Sequence, residues 1–61
     1  MRTWLVAIRE KQNMSQAEIA RRVGISQPSM CAIEKGYNTP RPETAKKIAD
    51  ILGFPWTRFY E

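Results

Sequence analysis

Two glutamines, Gln16 and Gln27, each follow a serine, Ser15 and Ser26, in a stretch that reads as two short helices joined by a tight turn. A carboxamide offers two N–H donors and a carbonyl acceptor, which suits it to hydrogen bonding with fixed polar edges. Close by lie Lys35, Tyr37, Asn38 and Arg41, all able to donate to anionic oxygen. Groups for covalent or metal chemistry are scarce. The chain has no histidine and Cys31 is its only cysteine, so soft ligands for a zinc site are lacking. No carboxylates pair into a pocket, and a small chain has little room for a buried cleft. Neither enzymatic activity, a metal, a cofactor nor a small-molecule ligand is expected. Ten Lys and Arg against six Asp and Glu leave a formal charge of +4, a balance that suits a polyanion, most simply nucleic acid.

The elements that must hold these groups can be read in order. At 61 residues the chain is expected to be one small domain, residues 1–61, which buries only roughly 60% of its unfolded surface. With no disulfide or metal available, its stability must come from helix packing, helped in one reading by self-association. A lone thiol fits a reducing cytoplasm. The first residues, Met1 to Arg9, lack the long apolar run of a signal peptide, and no stretch is long enough to span a membrane.

Leu5 and Ile8 set the spacing of a first helix, which Asn13-Met14 breaks. Ser15-Gln16-Ala17-Glu18 is a capping box, in which the serine hydroxyl takes an N3 amide and Glu18 reaches back. Ile19, Ala20 and Val23 form the inner face of that second helix, and Glu18 and Arg22 pair on its outside. Gly24 supplies the left-handed residue that ends it. Ser26 caps a third helix that tolerates Pro28 in its first turn and stops at Gly36. After a loop at Tyr37-Asn38-Thr39-Pro40, Pro42 begins a fourth helix with the stripe Ala45, Ile48, Ala49 and Leu52. Gly53 ends it, and Pro55 starts a short fifth helix carrying Trp56, Phe59 and Tyr60. The expected class is all-α, with five helices and no strand.

The turn Gly24-Ile25-Ser26 is too short for an antiparallel bundle, so helices 2 and 3 must cross steeply. Ala20 is small enough for close approach, and Val23, Ile25, Met30 and Ile33 fill the angle. Here the chain resembles the lambda-repressor-like, Cro/CI-type helix-turn-helix family, also called the XRE family. The matching residues are Leu5-x-x-Ile8-Arg9, Met14-Ser15-Gln16-Ala17-Glu18-Ile19-Ala20, Val23-Gly24-Ile25-Ser26-Gln27, Ile33-Glu34-Lys35-Gly36 and Ile48-Ala49-x-x-Leu52-Gly53. The resemblance implies a five-helix DNA-binding domain whose third helix, about Ser26 to Lys35, enters the major groove. It also implies a phosphate-clamping role for Gln16 and a structural pair of Arg9 with Glu34, tying the first helix to the end of the third.

At about 100° per residue, the third-helix face opposite Met30 and Ile33 carries Gln27, Pro28, Cys31, Ala32 and Lys35. Gln27, Pro28, Cys31 and Ala32 are therefore the base-contact candidates. Gln27 can read adenine through N6 and N7, and Pro28 and Ala32 can meet a thymine methyl. The plainer alternatives are a solvated helix start for Gln27, simple tolerance of small residues at Pro28 and Ala32, and an inert thiol at Cys31. The family often has polar readers at positions 28 and 32, which this chain lacks. Gln16, Ser26, Lys35, Tyr37, Asn38 and Arg41 are the phosphate candidates. Arg21, Arg22, Lys46 and Lys47 read as solvated outer faces.

Trp4, Phe54, Trp56, Phe59 and Tyr60 come from the two ends of the chain, which the family fold brings together. Some must pack the fifth helix onto the first. Trp56, Phe59 and Tyr60 are the candidates for an exposed patch and a homodimer contact, at least on DNA. The functional expectation is a cytoplasmic transcriptional regulator of double-stranded DNA, a repressor acting by occlusion. The alternative is an antitoxin or regulatory module that docks a protein on the aromatic surface.

Overall fold

The computed structural model describes all 61 residues. It contains α1 (Thr3–Lys11), α2 (Gln16–Val23), α3 (Gln27–Lys35), α4 (Pro42–Leu52) and a closing 3₁₀ helix (Trp56–Tyr60), with no strand. The all-α class is as expected, with one difference in detail: the fifth helix is 3₁₀, not α. Its bonds run from Arg58 N–H to the Pro55 carbonyl and from Glu61 N–H to that of Arg58. A proline at its start and bulky rings throughout favour this short, tightly wound form.

Local chemistry accounts for the boundaries. α1 ends in a turn whose Asn13 has φ of 58°, a left-handed conformation that asparagine tolerates better than most residues. Ser15 Oγ accepts the Glu18 N–H at 3.1 Å, which is one half of the capping box. The other half is absent, a correction to the expectation. The Glu18 carboxylate turns along the helix instead, to Arg21 and to Arg22 at 3.3 Å, because two cations at i+3 and i+4 outcompete one backbone amide. At the far end, Gly24 adopts φ of 86°, and the N–H groups of Gly24 and Ile25 both close onto the Ala20 carbonyl at 2.8 and 2.9 Å. A side chain at Gly24 would be strained in that backbone, which turns the chain sharply into α3. Ser26 Oγ then caps α3 by accepting the Ser29 N–H.

The core gathers one face of every helix: Leu5 from α1, Ile19, Ala20 and Val23 from α2, Met30 and Ile33 from α3, and Ala45, Ile48 and Leu52 from α4. Phe59 closes it from the 3₁₀ helix. The α4 stripe is buried as the spacing requires. Ala20, one turn before the Gly24 bend at which the chain crosses from α2 to α3, is only 2% exposed, so a larger side chain there would have no room without moving a neighbour. Away from that crossing, the Gln12 side-chain amide donates to the Leu52 carbonyl at 2.6 Å, fastening the end of α1 to the end of α4. The Leu52 carbonyl is among those a helix end leaves without an intrahelical donor.

Phe59 is a correction to the expected exposed patch. It is only 5% exposed and packs with Trp4 and Phe54, each ring centroid 5.5 Å away, while the Arg2 guanidinium lies 5.6 Å from its centre. With three residues per turn, Trp56 and Phe59 share one side of the 3₁₀ helix and both pack against the core. Tyr60 is turned outward and remains 47% exposed.

Candidate nucleic-acid interface

The centre of the candidate site is a buried carboxylate. Glu34, in the last turn of α3, is 1% exposed. Arg9 of α1 meets it with both ends of its guanidinium, Nε to Oε2 at 2.6 Å and Nη2 to Oε1 at 3.2 Å. The remaining Arg9 nitrogen, Nη1, donates to the Met14 carbonyl at 2.8 Å, just ahead of α2. One arginine therefore joins α1, the α1–α2 turn and α3. A charge pair this buried is tolerable only because its hydrogen bonds are complete, and no buried side-chain nitrogen or oxygen in the chain lacks a partner. The expected Arg9–Glu34 pair is present.

Gln16, the first residue of α2, joins the same group. Its Nε2 donates to Glu34 Oε1 at 2.7 Å. No sequence pattern placed these two together. The contact sets the start of α2 beside the end of α3 and leaves Gln16 half-buried.

Along α3, Gln27 and Pro28 are exposed, Cys31 and Ala32 are half-buried, and Lys35 is exposed. The expected outward face is therefore on the surface. Ser29 is exposed as well, and its hydroxyl lies 2.8 Å from that of Ser26. Ser26 Oγ accepts the cap N–H through a lone pair, which leaves its own O–H able to donate. Beyond α3, Tyr37 is 78% exposed, and Asn38 and Arg41 are exposed with it. Ser29, Tyr37, Asn38, Arg41 and Thr44 line an open cleft between α3 and the start of α4.

Arg2 holds this loop in place, a role the sequence did not reveal. Its Nη1 donates to the carbonyls of Ile33 at 2.7 Å and Asn38 at 3.0 Å, and its Nη2 to Thr39 Oγ1 at 3.1 Å. The Arg2 backbone N–H also donates to the Glu34 carbonyl at 2.7 Å. A cation at the end of α3 satisfies carbonyls the helix leaves open and complements its dipole. The ion pairs of the chain are Arg9–Glu34, Arg21–Glu18 and Arg22–Glu18, so Lys35 and Arg41 keep their charge free beside the outward face of α3.

This is the geometry of two crossed helices, with the outward face of the second left open and Lys35 and Arg41 left unpaired. A family model described as helix-turn-helix matches residues 5–59, nearly the whole chain. The chain belongs to the helix-turn-helix family. The helix-turn-helix family is a non-enzymatic DNA-binding family, and this member is a DNA-binding regulator of the Cro/CI, or XRE, type. It is 38% identical over 61 residues, all of this chain and 80% of the relative, to the uncharacterised HTH-type transcriptional regulator YqaF of Bacillus subtilis. It is 41% identical over 52 residues, 85% of this chain and 73% of the relative, to an uncharacterised HTH-type transcriptional regulator of Archaeoglobus fulgidus. Over 48 residues it is 33% identical to the cryptic phage CTXphi transcriptional repressor RstR of Vibrio cholerae, covering 79% of this chain and 43% of that one. No solved structure matches. No helix of this helix-turn-helix chain is long and apolar enough to cross a membrane.

The second candidate surface lies at the C-terminal end. Lys46 Nζ stands 4.9 Å from the centre of the Trp56 ring, and Tyr60 packs edge-on against the same ring at 5.8 Å. The Tyr60 hydroxyl donates to the Pro40 carbonyl at 2.6 Å, linking this surface to the loop that follows α3.

Proposed function

We propose that the chain is a cytoplasmic repressor that reads double-stranded DNA by laying α3 in the major groove, one copy on each half of a two-fold site. The observation that carries this reading is the surface of α3. Gln27 and Pro28 are exposed and Cys31 and Ala32 half-exposed, an uncharged face with the free cations Lys35 at the end of the helix and Arg41 after the following loop. A groove about 12 Å wide admits such a helix, with small side chains letting the backbone lie deep. Gln27 then meets adenine, and Pro28, Cys31 and Ala32 offer contact to thymine methyls. Gln16, Ser26, Lys35, Tyr37, Asn38 and Arg41 attach to phosphates, which fix register without reading sequence.

The Cα atoms of one chain span 25 × 21 × 20 Å, less than the roughly 34 Å between half-sites on one face of the duplex. Two copies are needed to read both, and Trp56 with Tyr60 is the surface we assign to their contact. Occupying a promoter in this way represses it without any further chemistry. Selection of bound sites from a random duplex pool tests the reading: recovery of a two-fold symmetric consensus supports it, and recovery of no enriched sequence overturns it.

A second reading follows from the same aromatic surface. The chain is 35% identical over 48 residues to antitoxin HigA1 of Mycobacterium tuberculosis, covering 79% of this chain and 32% of that one. In that reading Trp56, Tyr60 and Lys46 dock a different protein. Duplex affinity that depends steeply on salt separates the two, because a module that only docks a protein has none.

A further inference from the structure

We propose that Glu34 is a positioning residue for DNA: its buried carboxylate turns the Gln16 carboxamide so that this amide donates, rather than accepts, at a backbone phosphate. The inference rests on the duplex-DNA reading above. The two ends of a glutamine amide have nearly the same shape and opposite polarity. Phosphate oxygens only accept, so an amide that presents its oxygen to them is repelled and one that presents N–H is bound. A glutamine whose side chain turned freely would have to be ordered into the productive orientation at each encounter.

Gln16 does not turn freely. Its Nε2 lies 2.7 Å from Glu34 Oε1, and a carboxylate paired with a guanidinium has only acceptors to offer. Flipping the amide would set its oxygen against a carboxylate oxygen at a position that is 1% exposed, where little water remains to screen the repulsion. The nitrogen is thereby held inward on the carboxylate. A primary amide nitrogen carries a second N–H, which diverges from the first in the amide plane and is left to donate elsewhere. Arg9 completes the device by gripping both carboxylate oxygens at 2.6 and 3.2 Å, so that the carboxylate cannot rotate away. The orientation of a side chain at the start of α2 is thus set from α1 through the end of α3.

The test is a double-mutant cycle of Gln16→Ala and Glu34→Gln, read as affinity for a short duplex of random sequence at low salt. Phosphate contacts carry no sequence information, so no operator is needed. Removing the negative charge changes affinity by itself, and that effect appears in both backgrounds and cancels. The expected result is that Glu34→Gln weakens binding about three- to tenfold more when Gln16 is present than when it is replaced by Ala. Equal effects in the two backgrounds overturn the proposal, since a merely structural role disturbs every DNA contact alike. If Glu34→Gln does not fold, the Gln16 side-chain amide of the unmodified protein is followed by NMR as duplex is added. One amide proton should exchange slowly with solvent and keep its shift while its partner on the same nitrogen moves. Two rapidly exchanging protons, or two that move together, overturn it. Absence of any duplex affinity in the unmodified protein overturns the DNA reading itself, and the inference with it, a result distinct from equal effects in the cycle.

Discussion

Arg9 and Glu34 are separated by the last two residues of α1, all of α2 and nearly all of α3, yet Nε and Oε2 stand 2.6 Å apart with the two side chains 12% and 2% exposed. The pair links three segments through one carboxylate, and its strength is conditional on both members. Replacing either alone leaves a charge with little water to solvate it, which should cost on the order of 3 kcal/mol. Replacing both with apolar residues of similar volume should cost less than the sum of the single changes. A thermal-unfolding cycle on Arg9→Met, Glu34→Leu and the double variant measures the coupling, and additivity within about 0.5 kcal/mol would mean that the contact contributes nothing.

Arg2 should matter for the loop more than for the core. Arg2→Ala removes donors from the Ile33 and Asn38 carbonyls and from Thr39 Oγ1. The expected loss is about 1–2 kcal/mol of stability, since these bonds are charge-assisted but mostly solvent-exposed. The bonded backbone amides of Gly36, Tyr37 and Asn38 should lose exchange protection, whereas Ile19 and Ile48 should hold theirs until global unfolding. Uniform loss of protection across the chain would show that Arg2 braces the whole fold instead.

Neighbouring rings at the C-terminal end should behave oppositely. Phe59→Ala removes a ring packed against Trp4 and Phe54 and should cost about 3–5 kcal/mol, enough to unfold much of so small a chain. Tyr60→Phe removes only the hydroxyl bond to the Pro40 carbonyl and should cost about 1 kcal/mol. Trp56→Ala strips a half-buried ring from the edge of the core and should cost less than Phe59→Ala, with a separate loss of self-association if this surface is the dimer contact. Melting temperature read beside sedimentation separates these effects. An unchanged sedimentation profile for Trp56→Ala rules out that assignment.

Binding to duplex DNA should separate charge from sequence. Each phosphate neutralised lowers the slope of log K against log salt by about 0.9, and Lys35→Ala or Arg41→Ala should each reduce the steepness by roughly that amount. Gln27→Ala should leave the slope alone and relax preference at one base pair of each half-site, worth about 1–3 kcal/mol. A competition titration against single-base variants of a selected site measures this. If Gln27→Ala weakens every sequence equally, α3 does not read bases through this residue, and shape must supply the specificity.

What the sequence determined by itself was local. Capping serines, the glycine ends, Pro42 and the apolar spacing of each helix act over one or two turns, so their consequences could be read without a structure. The short connection at Gly24-Ile25-Ser26 extended that reach to the angle between α2 and α3, and the family motif extended it to Arg9 and Glu34. The remaining links were decided by the tertiary structure, because they depend on where helix ends meet after packing. Arg2 reaches Asn38, Gln12 reaches Leu52, and Gln16 reaches Glu34, each across a stretch of chain that leaves no periodic trace. Nothing in composition distinguishes these donors from the other polar residues around them in sequence. The adjacent rings Phe59 and Tyr60 make the same point over the shortest distance. The tight winding of the 3₁₀ helix and the packing surface that Trp4 and Phe54 form together decided which of them became core and which became surface.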